Sequence, residues 1–369
     1  MNNPRVIDQS VITAAINDLD GIQQAITARD QNVAVPNGTP VSQYPAKIAS
    51  IGTNWIRPAD WIPIDTVDAN SITFTVADSG NMTAAFVLTF LATGAQATID
   101  WGDGTPLVTT TATTAANGAS SQSHTYTKGA GKLCSRGYTT FKVVIKPVGT
   151  ATITKFIFQW LPTFVGPPCM SILEVNVNVG TLTNLDYMCY KSTSPAFNCY
   201  MLENVKFSGS LANVTSAQYS FQYCYALAKV TGLNMPACVN LYDMFYSCAS
   251  LRELDISNLL AATTFTMTFY SMYSFGNIID MSSASHATNM NCYGNYNLKG
   301  LLVSNQAPFT GSAPQIDVGY TGMDAAALNA LFTSLPNVTA GQTLKMTGSV
   351  GAATATTSIA TAKGWSVTA

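Results

Sequence analysis

The sequence predicts a mainly β protein in which a short helical segment precedes a β-sandwich and then a repeat solenoid with a C-terminal cap. Three observations support this class. Between residues 54 and 168, apolar and polar residues alternate in short runs rich in Val, Ile, Thr and Phe. Between residues 169 and 321, an apolar pattern recurs every 23–25 residues. Charged residues make up 10% of the chain, against roughly 25% in a typical soluble domain, so small polar side chains must cover the surface.

Charge and hydropathy exclude several classes of protein. The 17 basic and 19 acidic residues leave a net charge of −2, which gives no electrostatic footprint for nucleic acid. No stretch approaches the roughly 18 consecutive apolar residues of a membrane span, so we expect no membrane insertion. The first residues show no basic region followed by an apolar run, so we expect no signal peptide and a chain that folds in the cytoplasm with reduced thiols.

Residues 1–53 form the first predicted unit, one or two short amphipathic helices. Ile7, Val11, Ile22 and Ile26 recur at roughly helical spacing, interrupted by Gly21. So small a unit cannot bury much core by itself. It either caps the next domain or is a docking segment that buries this apolar stripe in a partner or in its own oligomer. The pattern is too short for heptad reasoning to fix the number of chains.

Residues 54–168 are predicted to form an antiparallel sandwich. Strands are expected at 71–76, 84–92, 96–101 and 139–146. Turn-forming residues separate them, among them the sequence GDG at 102–104. Several short strands at this spacing are typical of a two-sheet sandwich of about 100 residues.

Residues 169–321 contain the repeat. A unit of 23–25 residues holds one strand and its return, so it must stack on its neighbours to bury its apolar face. A Leu-x-x-apolar step fixes the alignment of the copies. The five aligned pairs are Leu202 with Val205, Leu227 with Val230, Leu251 with Leu254, Phe275 with Ile278, and Leu298 with Leu301.

Three residues before each of these steps lie Cys199, Cys224, Cys248, Met272 and Asn295. Stacked strands about 4.8 Å apart would bring the three cysteines close together. We interpret them as a row of small buried side chains, because free cysteine packs in this way. The alternatives are a structural disulfide and a metal relay, although a ladder spreads its thiols apart and a metal needs converging ligands. Residues 322–369, with a predicted helix at 323–335, would cap the solenoid.

Catalytic chemistry needs a constellation of groups, and the sequence offers none. It lacks the spaced motifs of serine hydrolases, zinc proteases and phosphate-binding loops. Packing is the favoured role of His124 in the HTY sequence, and His286 has no acidic neighbour in sequence. We therefore expect no enzyme, no cofactor and no metal site, and a polysaccharide-cleaving spike ranks last. The carboxylates within the repeats are interpreted as solvated turn or edge charges: Glu174, Asp186, Glu203, Asp243, Glu253, Asp255 and Asp280.

Tyrosine is abundant in the repeats, and it suits recognition because it combines a broad ring, few rotors and a polar tip. Most of these rings are expected to cover the solenoid edge or pack in its core, and an exposed subset would bind a receptor or partner. The candidate binding residues are Tyr219, Tyr223, Tyr242, Tyr246, Tyr270 and Tyr293.

Two modules resemble known families. The sequences IDWGDGT (99–105), HTY (124–126) and GYTTFKVVIK (137–146) resemble the PKD family of Ig-like sandwiches, although the Thr-rich insertion at 106–122 is longer than expected. In that family the Asp and Gly residues are mainly structural, so Asp100 and Asp103 are expected to bond their own turns, with a calcium site as the alternative. The sequence MFYSCASLRELD (244–255) resembles the leucine-rich repeats of BspA-like surface proteins, and the tail resembles the cap of such repeats.

The segment VAVPNGTPVSQYPAKIASI (33–51) resembles N-terminal parts of tailed-phage structural proteins. The resemblance implies a virion component exposed on the particle, such as a tail fibre that docks on other virion proteins and presents its repeats to a host receptor or glycan. Phage fibres are commonly trimers, so a homo-oligomer is expected by analogy. The alternatives are a capsid decoration or head fibre protein and, ranked lower, a bacterial cell-surface adhesin.

Overall fold

A computed structural model describes residues 55–64, 69–77, 83–112, 119–127, 129–158, 171–190, 199–284, 286–303, 309–339 and 341–369. The chain divides into two compact units, Met1–Arg57 and Pro58–Ala369. It is mainly β, with 33% strand and 6% helix, and its C-terminal part is a β-solenoid of about six turns. The predicted mainly β class and the solenoid are thus confirmed.

The predicted docking residues Ile7, Val11, Ile22 and Ile26 lie outside the described residues. The two described helices are short. Within the described part of the chain, no helix has the length and hydropathy that are needed to cross a bilayer.

The N-terminal part of the second unit consists of two packed sheets. Their strands are β1 (Ser71–Ala77), β2 (Thr83–Phe90), β3 (Gln96–Asp100), β4 (Val108–Thr111), β5 (Ala119–Thr125), β6 (Lys132–Leu133), β7 (Thr139–Pro147) and β8 (Ile153–Ile157). One sheet has the order β5-β2-β8, and the other contains β1-β7-β3-β4 with β6 beside β7. The four strands predicted from alternation are confirmed as β1, β2, β3 and β7. By contrast, β4 and β5 lie in Thr- and Ser-rich sequence that lacks an apolar alternation.

Aromatic rings fill the space between the two sheets. Phe74 on β1 meets Phe86 on β2 edge to face at 5.8 Å, and it meets Phe158 just after β8 at 5.0 Å. Phe86 also contacts Phe156 at 5.7 Å. Edge-to-face pairs of this kind add roughly 0.5–1.5 kcal/mol each to the burial of their area. The core of the two sheets is therefore a connected aromatic cluster.

The solenoid strands are β9 (Ile172–Asn178), β10 (Asn204–Phe207), β11 (Lys229–Asn234), β12 (Glu253–Ser257), β13 (Ile278–Met281), β14 (Met290–Asn291), β15 (Gly300–Val303), β16 (Ile316–Asp317), β17 (Thr343–Lys345) and β18 (Ser366–Thr368). Strand β9 pairs antiparallel with β1 on one edge and parallel with β10 on the other. The sheet then continues in parallel through β11 and β12. One hydrogen-bonded sheet thus runs from the packed sheets into the solenoid.

The predicted inward columns form the solenoid core, with one exception. Leu202, Leu227, Leu251 and Leu298 are buried as expected. Ile278, however, is 55% exposed. The parallel pairing sets its neighbour Ile279 opposite Leu301, so Ile279 is the inward residue of that coil. The predicted Phe275–Ile278 pairing is wrong because this copy carries one extra residue, and there the sheet restarts as the pair β13–β15.

Helix α1 (Ala325–Ser334) and helix α2 (Ser358–Thr361) lie near the C-terminus. Asp324 caps α1, since its side chain accepts a hydrogen bond of 2.9 Å from the amide of Ala327. This helix confirms the one predicted at 323–335. Beyond it, β17 and β18 extend the parallel ladder of β14 and β16 almost to the end of the chain.

Candidate functional site

Between successive strands the chain runs through arcs of tight turns, which stack into a surface that we call the turn face. Its arcs are residues 184–190, 216–225, 240–249, 264–273, 289–296 and 315–321. The last five arcs each have a residue with positive φ at the same position, between 54° and 77°, whose amide donates to the next coil. The corresponding bonds are 2.9–3.0 Å long, so the arcs keep a constant register. These residues are Tyr223, Ser247, Ser271, Gly294 and Tyr320.

The regular register turns the tyrosines into a ladder of rings. Tyr246 stacks on Tyr270 at 5.0 Å with 7° between planes, and Tyr270 stacks on Tyr293 at 5.2 Å with 16°. Tyr223 and Tyr320 meet the two ends of this stack edge to face, at 5.2 and 5.3 Å. Tyr223 and Tyr320 occupy the positive-φ position of their arcs. The three arcs between them carry Ser or Gly at that position. The small residues leave room for the central stack.

The structure brings together all six tyrosines predicted as candidate binding residues. Tyr219 contacts Tyr242 at 5.2 Å, and Tyr190 links that pair to Tyr223 through ring contacts of 5.8 and 6.0 Å. The six predicted rings are half-buried, so each shows part of its surface to solvent. Three further rings complete the ladder and were not among the predicted six: Tyr187, Tyr190 and Tyr320.

Charged groups lie at the C-terminal end of the ladder. The Lys345 ammonium stands 5.7 Å from the centre of the Tyr293 ring, in cation–π contact. It also lies 3.8 Å from Oδ2 of Asp317, whose carboxylate is buried. Burial raises the pKa of Asp317, although the Gly319 amide and Lys345 act in the opposite direction.

Two acidic side chains lie beneath the tyrosine ladder, contrary to the prediction of solvated turn charges. Asp186 is buried and accepts hydrogen bonds from Asn184, from Ser216, and from the amide and side chain of Gln218. Asp243 is only 6% exposed and has a positive φ of 53°. Burial raises the pKa of Asp243 to about 6 despite a bond from Gln222. Neither carboxylate is solvated.

The same prediction is wrong for Glu174, which is fully buried on β9. It holds for Asp255 and Asp280, which are exposed. Glu203 and Glu253 are half-buried in ion pairs with Arg136 and Lys229. The sequence does not distinguish the buried carboxylates from the exposed ones, because acidic residues of the repeats point both toward the core and toward solvent.

The seven described cysteines are buried thiols, and the predicted cysteine row is indeed part of the core. Its side chains also form hydrogen bonds to the backbone of neighbouring coils. Sγ of Cys248 lies 3.0 Å from the carbonyl oxygen of Phe221 one coil earlier. Asn295 occupies the same column, accepts from the amide of Met272 at 2.6 Å and donates to the carbonyl of Phe269 at 2.7 Å. The column therefore ties neighbouring coils together by hydrogen bonds.

His124 belongs to the first two sheets, where it completes a packed cluster. Its ring stacks on Trp101 at 5.0 Å and meets Tyr126 edge to face at 4.8 Å. Nε2 of His124 lies 2.7 Å from Asp103, and the Tyr126 hydroxyl donates to the carbonyl of Trp101. Asp103 also accepts from the Thr105 amide, and Asp100 accepts from Gly102, as expected for turn carboxylates. These contacts give His124 a packing role.

Within the described ranges, no three His, Cys, Asp or Glu side chains cluster in a way that could hold a metal ion. Comparison with protein-family models, with curated protein sequences and with solved structures yields no match. The tyrosine ladder of the turn face is accordingly the main candidate site.

Proposed function

We propose that the chain is a non-enzymatic structural protein of a tailed-bacteriophage virion, a tail fibre or other host-facing appendage that presents the turn face to a receptor. The observation that carries this proposal is the tyrosine ladder from Tyr187 to Tyr320. Tyrosine rings held in a fixed stack lose little conformational entropy when a partner binds them. A row of half-exposed rings on a repetitive scaffold therefore suits recognition better than catalysis.

The finer assignment of the modules belongs to the same proposal. We infer that the two packed sheets are a PKD-like Ig sandwich, because the three motifs that carry the resemblance meet in the ring cluster of Trp101, His124, Tyr126 and Phe141. The solenoid is inferred to consist of BspA-like leucine-rich repeats with residues 322–369 as its cap. Residues 1–53 would dock on other virion proteins, with a trimer expected from analogy.

The continuous sheet supports a spacer role for the first two sheets. Strand β9 shares a ladder with β1 on one side and with β10 on the other. A surface carried on such a junction keeps its direction relative to the sandwich, as a host-facing appendage requires. The surface would be exposed on the particle, and no cofactor is needed for this role.

The test is the location and copy number of the chain on purified particles, by imaging of tagged particles and quantitative gel densitometry. A few copies at the tail tip are the expected result. Hundreds of copies over the shell would instead identify a capsid decoration or head fibre protein. Absence from particles would overturn the virion assignment and favour a cell-surface adhesin.

A second experiment tests the turn face directly. In the double variant Tyr242→Ala/Tyr246→Ala, attachment of the purified protein to host cells should fall at least tenfold. The matched control, Tyr242→Phe/Tyr246→Phe, keeps both rings and should retain most of the attachment. Circular dichroism confirms that both variants are folded. Equal attachment by the alanine variant and the native protein would overturn the role of the ladder.

A further inference from the structure

A second row of tyrosines follows the outer edge of the turn face. It occupies the position two residues before the first residue of each Leu-x-x-apolar step, and its members are Tyr200, Tyr225, Ala249, Tyr273 and Tyr296. Tyr200 stacks on Tyr225 at 5.9 Å with 8° between planes. Tyr273 stacks on Tyr296 at 5.5 Å with 24°. The row is thus two stacked pairs separated by one coil that carries only a methyl group.

The backbone shows that Ala249 is a true member of this row. The amide of Ala249 donates to the carbonyl of Ser247 at 2.9 Å, as the amide of Tyr225 donates to the carbonyl of Tyr223 at 2.9 Å. The amide of Ser274 in turn donates to the carbonyl of Ala249 at 3.1 Å. The coil is therefore in register, and the row lacks a ring at this one place.

The missing ring leaves a slot between two exposed tyrosines. Tyr225, one coil before Ala249, is 47% exposed, and Tyr273, one coil after it, is 44% exposed. One coil separates neighbouring rings by 5.5–5.9 Å, so two coils separate the walls of the slot by about 11 Å. The floor is Ala249.

Polar groups surround the slot. Ser247 and Ser250 flank Ala249 in the same arc, and Ser274 follows Tyr273 in the next arc; all three serines are half-buried. Burial, followed by the hydroxyls of Tyr200, Tyr246 and Tyr273, raises the pKa of Tyr225. Apolar walls with a hydroxyl-rich rim suit a ligand with apolar faces and a polar edge.

The slot has the width of one ring. Flat tyrosine rings elsewhere in the row stand 5.5–5.9 Å from their neighbours, so two such contacts span about 11 Å. The rim decides which kind of ring is favoured, because a flat apolar ring would make no hydrogen bonds with the surrounding hydroxyls. A pyranose chair carries C–H groups on both faces that can contact tyrosine rings, and it directs its hydroxyls outward to a polar rim.

We propose that the slot over Ala249, between Tyr225 and Tyr273, binds one pyranose ring of a surface glycan. This inference rests on the proposed function, because it names the ligand class that the turn face recognises. Tyr225 and Tyr273 contact the two faces of the sugar, and the serine and tyrosine hydroxyls at the rim bind its hydroxyl groups.

The decisive variant is Ala249→Tyr, which supplies the missing ring and fills the slot. The matched control is Ala326→Tyr, at an exposed position on helix α1. Saturation-transfer NMR is recorded with the full chain and the methyl pyranosides of glucose, galactose, mannose and N-acetylglucosamine, and with p-cresol as a flat-ring probe. We expect transfer to at least one pyranoside, reduced at least tenfold by Ala249→Tyr and unchanged by Ala326→Tyr.

The wall residues provide a second test. Tyr225→Ala and Tyr273→Ala should each weaken pyranoside binding at least fivefold. Tyr320→Ala, which removes a 43% exposed ring whose stacking partner is Tyr293, should weaken it less than twofold. The inference is overturned if no pyranoside shows transfer, if p-cresol alone does, or if Ala249→Tyr binds as the native protein does.

Attachment of the labelled native chain and of Ala249→Tyr to host cells separates this inference from the proposed function. If both attach equally, the pyranose slot is wrong and receptor binding stands. If the native chain does not attach, receptor binding fails, and the pyranoside spectra still decide whether the slot binds sugar.

Discussion

The side-chain amide of Gln222 donates a hydrogen bond of 2.8 Å to Oδ2 of Asp243, and within the described part of the chain this is the one hydrogen bond that the carboxylate accepts. Oδ1 of Asp243 and Oε1 of Gln222 are buried without a hydrogen-bond partner among those residues. The carboxylate of Asp186, which also lies beneath the ladder, accepts four hydrogen bonds. Burial therefore makes ionisation of Asp243 unfavourable.

Replacing Asp243 should stabilise the protein at alkaline pH. Its pKa is about 6 in the folded state and about 3.9 in an unfolded chain, so below pH 4 both states are protonated. Between about pH 4 and pH 6 the unfolded state ionises while the folded state stays protonated, so the folded state loses up to about 3 kcal/mol of stability, and the loss is complete above pH 6. Asp243→Asn should thus raise the free energy of unfolding by about 1–3 kcal/mol at pH 8 and change it little at pH 4. Urea unfolding at both pH values measures this.

The control is Asp280→Asn, because Asp280 is exposed and its carboxylate bonds the amide of Ser282 in its own turn. No gain at pH 8 is expected for this variant. Equal effects of Asp243→Asn at pH 4 and pH 8 would contradict the assignment of a buried, protonation-sensitive carboxyl.

Two glycines of the GDG turn should respond very differently to alanine. Both have positive φ, 78° at Gly102 and 82° at Gly104. A Cβ on Gly102 would overlap the backbone carbonyl of Lys142, whereas one on Gly104 meets open space. Gly104→Ala should cost about 1–2 kcal/mol from backbone strain alone, and Gly102→Ala at least about 3 kcal/mol. Thermal unfolding compares them, and similar losses would rule out the close approach to Lys142.

Asn295 should be among the least replaceable polar side chains of the solenoid. It is fully buried and bonded to Met272 and Phe269, so alanine would leave an amide and a carbonyl unsatisfied. Asn295→Ala is expected to cost about 2–4 kcal/mol. Asn297→Ala, which removes one exposed bond to the Tyr273 carbonyl, should cost less than about 1 kcal/mol. Chemical denaturation tests the difference, and equal costs would contradict it.

The core thiols should resist alkylation. Burial raises the pKa of Cys238 to about 12 and also raises those of Cys248 and Cys292, so little thiolate forms near neutral pH. Iodoacetamide at pH 8 should leave the three residues unmodified in the native protein and modify them in guanidinium, as peptide mass spectrometry would show. Modification under native conditions would indicate that the coils open.

The repeat could be predicted from sequence because its columns are set by hydrophobic period. Leu202, Leu227 and Leu251 lie in the core as the spacing requires. The alignment is wrong at Ile278 because this copy carries a one-residue insertion. Ile278 and Ile279 are both apolar, so the apolar pattern looks unchanged although Ile279 is the residue that points inward. Such a shift is decided by the pairing of β13 with β15, which a single copy of the repeat does not reveal.

The sequence predicts that tyrosines form the candidate site, but it does not predict all of the rings in the ladder. Six tyrosines could be named from the sequence, yet Tyr320 was omitted because it lies 27 residues after Tyr293, outside the regular period. Its place in the ladder depends on a positive φ of 54°, a backbone property that the sequence does not display. The sequence predicts Asp243 in solvent because acidic turn residues are mostly exposed, and it does not display how neighbouring arcs cover this side chain.

The shared strand β9 also has a consequence for association between molecules. Strand β1 covers one of its edges and β10 the other, so the folded chain leaves neither edge free. A fragment beginning after β8 would lose the cover of β1 and expose a β9 edge able to pair with another molecule. The two packed sheets therefore protect the solenoid against aggregation.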